Sequence, residues 1–387
     1  MSGEGHALAT DTWSASARGA RLRRMDLLPL EALTTPAALV DLDRVEANLA
    51  RVAAYTREHR LHWRPHTKTH KTAELTALQL AAGAMGATVA TPREAAVMAT
   101  VCDDVLLAYP PVGPSRLAQL MALPRRTRLT VALDSVEALE GLGHAARDAG
   151  RTVGVLVELD LGMRRVGVQT PADAMALARA VAATSGVTYR GIIFYPGHVR
   201  VPVEQQEAAL KDQGARVREF VDALASEGLR PDVVSGGSTP MLWRSHEVEG
   251  LTEIRPGINV LNDRNTAALN ACAWNECAFS VLTTVVSTAV PGQVVVDAGS
   301  KALAKEEGLA PTGGYGALLD RPELVVRSVS EEHGLLDVSG TSWRPRVGDR
   351  LRVVPNHVCA AVNLHERLHV LRGDTVTATW AVAARGW

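Results

Sequence analysis

Between about residue 44 and residue 258 the chain alternates, at nearly regular intervals, between short apolar runs and Ala/Leu-rich stretches of helical periodicity. No other feature restricts the fold so strongly. A strand buried on both faces reads as a continuous apolar run, and it needs helices on either side to cover it. Eight such runs are present: LHWRPHT, GATVAT, DVLLAYP, RLTVALD, VGVLVELDLG, YRGIIFYPGH, PDVVSGGS and TEIRPGI. Between most of them lie helical segments such as PREAAVMATV, VEALEGLGHAARDAG and PADAMALARAVAATSG. The first helix, VDLDRVEANLARVAAYTREHR, sets Val45, Leu49, Val52 and Ala53 on one face with charges opposite. Eight strands with helical crossovers predict an α/β fold, a (β/α)8 TIM barrel over residues 35–263. A doubly wound sheet is the competing architecture.

After residue 263 the texture changes to β-branched runs broken by Gly and Pro, among them FSVLTTVVSTAVPGQVVVDAGSKAL and RLHVLRGDTVTATWAVAARGW. These predict an antiparallel β domain over residues 264–387, with residues 25–43 packed on it. With 387 residues, 47% of them hydrophobic, the chain suffices for a barrel and a smaller domain. A net charge of −1 gives no global field for nucleic acid or an anionic membrane, and no apolar run is long enough to span one. Four scattered cysteines suit a reducing cytoplasm. Arg23 and Arg24 ahead of leucines resemble an export signal, but Asp26, Pro29 and Glu31 interrupt the apolar stretch. Residues 1–24 are therefore expected to form a flexible leader of a cytoplasmic protein.

Polar clusters fall at the ends of the predicted strands: PHTKTHK, DLGMRR, YPGH, SGGSTP and RPGIN. In a barrel these ends converge on one face, where active sites are built. SGGSTP has the makings of a phosphate cradle: Gly236 and Gly237 let the backbone approach, and Ser238 and Thr239 can donate hydroxyl protons. Gly257 and Ile258 of RPGI stand where further backbone N–H groups are needed. In PNHVC, His357 and Cys359 at i and i+2 fall on one side of an extended strand. Imidazole and thiolate are good zinc ligands, and two protein ligands leave room for water and substrate. Read alone, the pair is a weak signal and reads first as a core cysteine beside a loop histidine.

Three motifs, RPHTKTHK, VDAGSKAL and PNHVCAAVNL, resemble those of the fold-type III pyridoxal-phosphate enzymes, which share a barrel and a C-terminal β domain with alanine racemase. Within that group the chain is similar to the D-serine dehydratase and D-threonine aldolase branch. The resemblance implies that Lys68 forms the Schiff base with pyridoxal 5′-phosphate, with Lys71 left in solvent. His66 and His70 either pack on the cofactor or satisfy loop carbonyls. Arg165, rather than Arg164, would approach the cofactor's 3′ oxygen. Tyr195 and His198 would line the pocket, and Arg255 would stand near the pyridine nitrogen. His357 and Cys359 would hold a divalent metal, zinc first, with manganese or magnesium as alternatives. One position departs from the pattern: Asn259 stands where the family often has tyrosine.

The implied activity is a lyase reaction on a small β-hydroxy D-amino acid. The His-x-Cys pair favours dehydration, with Lys68 as base at Cα, over retro-aldol cleavage with His198 as base at the hydroxyl. A racemase or epimerase and a non-catalytic pyridoxal-phosphate carrier are the alternatives. The resemblance further implies a homodimer in which a partner's C-terminal domain completes each site, with neither nucleic acid nor membrane as partner.

Overall fold

The computed structural model describes residues 28–386; the predicted leader lies outside the described residues. Two short strands come first, β1 (Leu28–Pro29) and β2 (Ala37–Asp41). The barrel strands follow as β3 (His62–Trp63), β4 (Ala87–Val89), β5 (Asp104–Leu107), β6 (Arg128–Leu133), β7 (Val153–Leu159), β8 (Val187–Phe194), β9 (Val233–Gly236) and β10 (Glu253–Ile254). They pair in parallel from β4 through β10 and on to β3. The ring closes where His66 bridges Thr88 and the Thr88 amide donates to Pro65 O at 2.9 Å. All eight expected strands are present, and the closed parallel ring excludes the doubly wound sheet.

The helices between them start where the sequence can cap them. Thr72, Thr91, Ser135 and Thr170 each accept, through the side-chain oxygen, the backbone N–H three residues on. Pro92 and Pro171 occupy first-turn positions, where a missing N–H costs nothing. The helix Leu42–Glu58 begins at an Asp41 cap and buries Val45, Leu49 and Val52 as the periodicity requires.

Inside the barrel, Leu106, Ala132, Leu156 and Ile193 form an apolar layer. Strand residues two apart share a face. Glu158 therefore sits above Leu156, and Tyr195 above Ile193, toward the strand C-terminal ends.

The second domain contains β11 (Phe279–Ser287), β12 (Gln293–Val296), β13 (Gly316–Leu318), β14 (Arg321–Val329), β15 (Gly334–Asp337), β16 (Arg350–Pro355), β17 (Arg367–Arg372) and β18 (Thr375–Ala381). β11, β12, β15, β14, β13 and β16 close an antiparallel ring, because β11 pairs with both β12 and β16. β2 is inserted between β11 and β17, antiparallel to the first and parallel to the second, and β1 pairs with β18. The segment Val358–Leu364 departs from expectation. It is a helix, with His357 as its N-terminal cap residue in extended conformation. Its β-branched first residues read as strand, but Ala360, Ala361 and Leu364 allow a turn that buries Val358, Ala361 and Val362.

Candidate active site

The turn Thr67–Thr69 follows β3 directly and places Lys68 at the barrel mouth. Its Nζ lies 5.5 Å from the centre of the Tyr195 ring, and the Arg165 guanidinium lies 5.0 Å from the same ring. Tyr195 can fold back this way because Gly197 follows it: a Cβ there would stand 2.2 Å from the ring. Arg165 belongs to a loop fastened at Asp160, whose Oδ1 accepts the Gly162 and Arg164 amides at 2.8 and 3.0 Å.

These groups surround a cavity of about 480 Å³ that also takes in Ser238, Thr239, Arg255, Gly257, Ile258, His357 and Cys359. Loops after β9 and β10 build one end of it. The Ile258 amide donates to Thr239 Oγ1 at 3.1 Å, which joins the two loops and leaves the Thr239 hydroxyl proton for a ligand. Gly237 adopts φ +82°, and a Cβ on Gly257 would meet His66 O at 2.5 Å. Ser238 Oγ is buried with no partner among the described residues. A phosphate oxygen would satisfy it, and Lys68, Arg165 and Arg255 give the cavity positive charge. The residues present thus fit a phosphorylated cofactor with an aldehyde-reactive lysine in reach.

The two histidines beside Lys68 divide. His66 lines the cavity, its Nδ1 buried without a partner. Burial first, then Lys68 and Arg255, hold its imidazole well below the usual range. His70 is wholly buried and belongs to the turn: Nε2 meets Gln79 Oε1 and Nδ1 accepts the Thr72 amide, both at 3.2 Å. Lys71 is not the solvated residue expected. Its Nζ lies 3.5 Å from the carboxylate of buried Glu94, because φ +55° turns its side chain toward the helix Pro92–Met98.

Arg255 is buried inside the barrel, donating to Ser235 Oγ at 2.5 Å and to Phe194 O at 2.7 Å. Ser235 in turn donates to Glu253, which also accepts from Arg64 at 2.9 Å. Burial pulls the Arg255 guanidinium down to about 10 against the opposing pull of Glu253 and Glu158. Sequence reasoning missed Glu158, although its place two residues after Leu156 on an inward-facing strand marks it.

From the second domain, His357 and Cys359 enter the same cavity. Cys359 Sγ donates to Thr69 Oγ1 at 3.3 Å, next to Lys68. His357 Nδ1 lies 3.3 Å from Asp263 Oδ2, which also accepts the Val358 amide at 3.0 Å. Asp263 is fully buried and fixes the ring so that Nε2 is the nitrogen offered to a cation. Burial opposes charge on His357, but Cys359 and Asp263 beside it outweigh burial and raise its imidazole above the usual range. The donor set, imidazole and thiol with a carboxylate behind the imidazole, fits a metal such as zinc. The pair does not arise from strand alternation as expected; cap and first helical turn bring it together. It comes from the same chain as Lys68, so these two ligands need no partner subunit.

One expected contributor, His198, lies elsewhere, and the departing position Asn259 does not reach the cavity. His198 is exposed and stacked over Gly162, where a Cβ would meet its ring at 2.9 Å, and it does not line the cavity. The short PGH turn that frees Tyr195 to swing inward carries His198 outward. Asn259 is buried outside the cavity lining, with neither amide atom hydrogen-bonded among the described residues.

Comparison with known proteins agrees with this arrangement. The alanine racemase N-terminal domain family matches residues 40–264, and the putative serine dehydratase domain family matches residues 278–371. The D-threonine aldolase of Arthrobacter sp. is 32% identical, over 93% of this chain and 94% of its own. The D-threo-3-hydroxyaspartate dehydratase of Delftia sp. is 34% identical, over 92% and 98%. The crystal structure of D-threonine aldolase from Filomicrobium marinum superimposes with a TM-score of 0.87 at 31% identity, covering 95% of this chain and 98% of that one. A cysteine-to-alanine variant of D-threo-3-hydroxyaspartate dehydratase in its metal-free form gives 0.85 at 32%, covering 93% and 100%. The chain belongs to the D-serine dehydratase and D-threonine aldolase branch of the alanine racemase-like, fold-type III pyridoxal-phosphate enzymes.

Proposed function

We propose that the chain is a pyridoxal-phosphate- and divalent-metal-dependent lyase that removes water from a small β-hydroxy D-amino acid. One observation carries the reading: Lys68, the Ser238–Thr239–Gly257 cradle and the His357–Cys359 pair line a single cavity. When bound, the cofactor supplies an electron sink and the metal a Lewis acid. The chain's own groups do the rest. Ser238, Thr239 and the glycine backbone hold the phosphate, and Arg165 offers charge to the oxygen at the far side of the ring. Lys68 takes the substrate's Cα proton. Asp263 orients His357, which with Cys359 holds the metal, zinc before manganese or magnesium because both donors are nitrogen or sulfur.

The position of His198 supports dehydration over cleavage. Elimination needs a base at Cα, which Lys68 provides. Retro-aldol cleavage needs a base at the β-hydroxyl, and the residue assigned to it stands outside the cavity. On the second-domain side the cavity presents an imidazole and a thiol close together, a pair that suits a divalent metal and so favours a lyase over a racemase.

The test is incubation of purified protein, loaded with pyridoxal phosphate and zinc, with D-serine, D-threonine and D-3-hydroxyaspartate. A keto acid with an equivalent of ammonia is the expected product. Glycine plus an aldehyde would replace dehydration by cleavage, and inversion at Cα without either product would make the chain a racemase.

A further inference from the structure

Among the described residues, Glu158 is the one carboxyl that lines the cavity. It is 5% exposed and projects from β7 above the apolar layer. Neither of its oxygens hydrogen-bonds to another described residue, and Oε2 is fully buried without a partner. A carboxyl in this state is destabilising, because burial removes its water without supplying a hydrogen bond, and the natural remedy is a bound donor. The charged groups around it are Arg255, Arg165, Asp134 and Asp160, with His66 and Lys68 across the cavity. Burial raises the Glu158 carboxyl to about 7 even though both arginines pull the other way.

Arg255 does not fill the same need. Two of its five N–H protons go to Ser235 Oγ and Phe194 O. Moreover, a guanidinium can only donate, so it leaves an adjacent pyridine nitrogen without a proton, whereas a carboxyl can share one with it. The remaining directions in the cavity are taken: Ser238 and Thr239 mark the phosphate end, and Lys68 the aldehyde end.

We propose that Glu158 is the hydrogen-bond partner of the cofactor's ring nitrogen and keeps that nitrogen protonated in the holoenzyme. The inference rests on the cofactor reading above and adds a direction to it. A protonated ring withdraws electrons more strongly than a neutral one, which suits expulsion of a β-substituent. Glu158 and the ring nitrogen then share a single proton: as carboxylate and pyridinium they attract each other, and each removes the other's cost of burial.

The experiment loads wild type and Glu158→Gln with pyridoxal phosphate carrying a nitrogen-15 label in the ring and records the ring-nitrogen chemical shift, with visible absorbance and thermal unfolding as controls for uptake and folding. Wild type is expected in the pyridinium range. Glu158→Gln, similar in shape but unable to accept that proton, is expected in the neutral-pyridine range, with cofactor binding weakened about ten- to a hundred-fold, the worth of a charged hydrogen bond. Equal shifts in two folded, loaded proteins would overturn the inference while leaving the cofactor reading intact. A wild-type protein that takes up no cofactor would instead overturn the cofactor reading. Should Glu158→Gln not fold, the wild-type spectrum decides alone: a neutral ring nitrogen across the neutral pH range refutes the role given to Glu158.

Discussion

Lys68 and Lys71 are three residues apart, yet their surroundings assign them opposite work. Lys68 faces the cavity and Tyr195, whereas Lys71 is spent on Glu94. Borohydride treatment of the loaded protein should therefore attach the cofactor to a peptide containing Lys68. Lys68→Ala should lose that adduct. Lys71→Ala should keep it but lose on the order of 3 kcal/mol of stability, because a carboxyl 1% exposed loses its ion-pair partner and keeps the Ala90 amide alone. An adduct that survives in Lys68→Ala and vanishes in Lys71→Ala would reverse the assignment. The metal pair makes a second contrast. His357 and Cys359 hang on a helix whose packing rests on Val358, Ala361 and Val362. Chelation should thus leave the circular dichroism and the bound-cofactor spectrum nearly unchanged while turnover falls to background. Cys359→Ser should do the same, a neutral hydroxyl replacing a thiolate. Full turnover in a sample shown metal-free by mass spectrometry would remove the metal from the reaction.

At the scale of the element, the turn from His66 to Thr72 shows both what a sequence discloses and what it hides. Its place at a strand end was legible from LHW followed by RPHTKTHK, as were the other four clusters, because strand period and chain order alone put them on one face. Which histidine served the cavity was not legible, since His66 and His70 differ only in the direction their turn gives them. The same limit explains Asp263, which acts on His357 across most of the second domain and has no local signature. It also explains His357 and Cys359, where VVPNHVC reads as strand until the helix that follows is packed. The turn carries its own pH dependence. An unfolded chain protonates His70 near the ordinary histidine value, while in the fold burial holds it to about 4 despite its hydrogen bonds with Gln79 Oε1 and Thr72. The unfolded state therefore binds more protons in that window. The contribution is complete above it and is lost as pH falls through it, at roughly 1.4 kcal/mol per pH unit and about 3 kcal/mol in all. Denaturant midpoints measured from neutral pH down to about pH 4 should fall accordingly, and His70→Asn should flatten the dependence. An unchanged slope in that variant would place the titrating group elsewhere.

For the whole molecule, both domains of one chain contribute to one cavity, so Lys68, the Ser238–Thr239–Gly257 loops and the His357–Cys359 pair meet within a single protomer. A symmetric homodimer remains our proposal for a different reason. Tyr109, 50% exposed, and Val112, 61% exposed, stand on the loop that rims the cavity, and Leu309 is exposed beside the smaller cavity next to it. Apolar side chains around an active-site mouth are the kind of surface that a second copy covers. Light scattering should give twice the mass of the chain. Dilution should lower turnover before it releases cofactor, because Lys68 and the phosphate cradle stay together in each protomer. A fully active monomer at every concentration would discard the dimer.

The position of β2 bears on how the protein comes into being. That strand emerges from the ribosome before any part of the barrel, yet its neighbours β11 and β17 are made only after the barrel is complete. Throughout most of translation its apolar edge, Ala37 to Val40, has no partner of its own sheet to pair with. The nascent chain is in this sense a loop whose two ends must meet, and the barrel is the body of that loop. A ribosome that stalls after the barrel is made but before β11 has emerged would leave a finished barrel carrying an orphaned sticky strand, the kind of intermediate on which chaperones act.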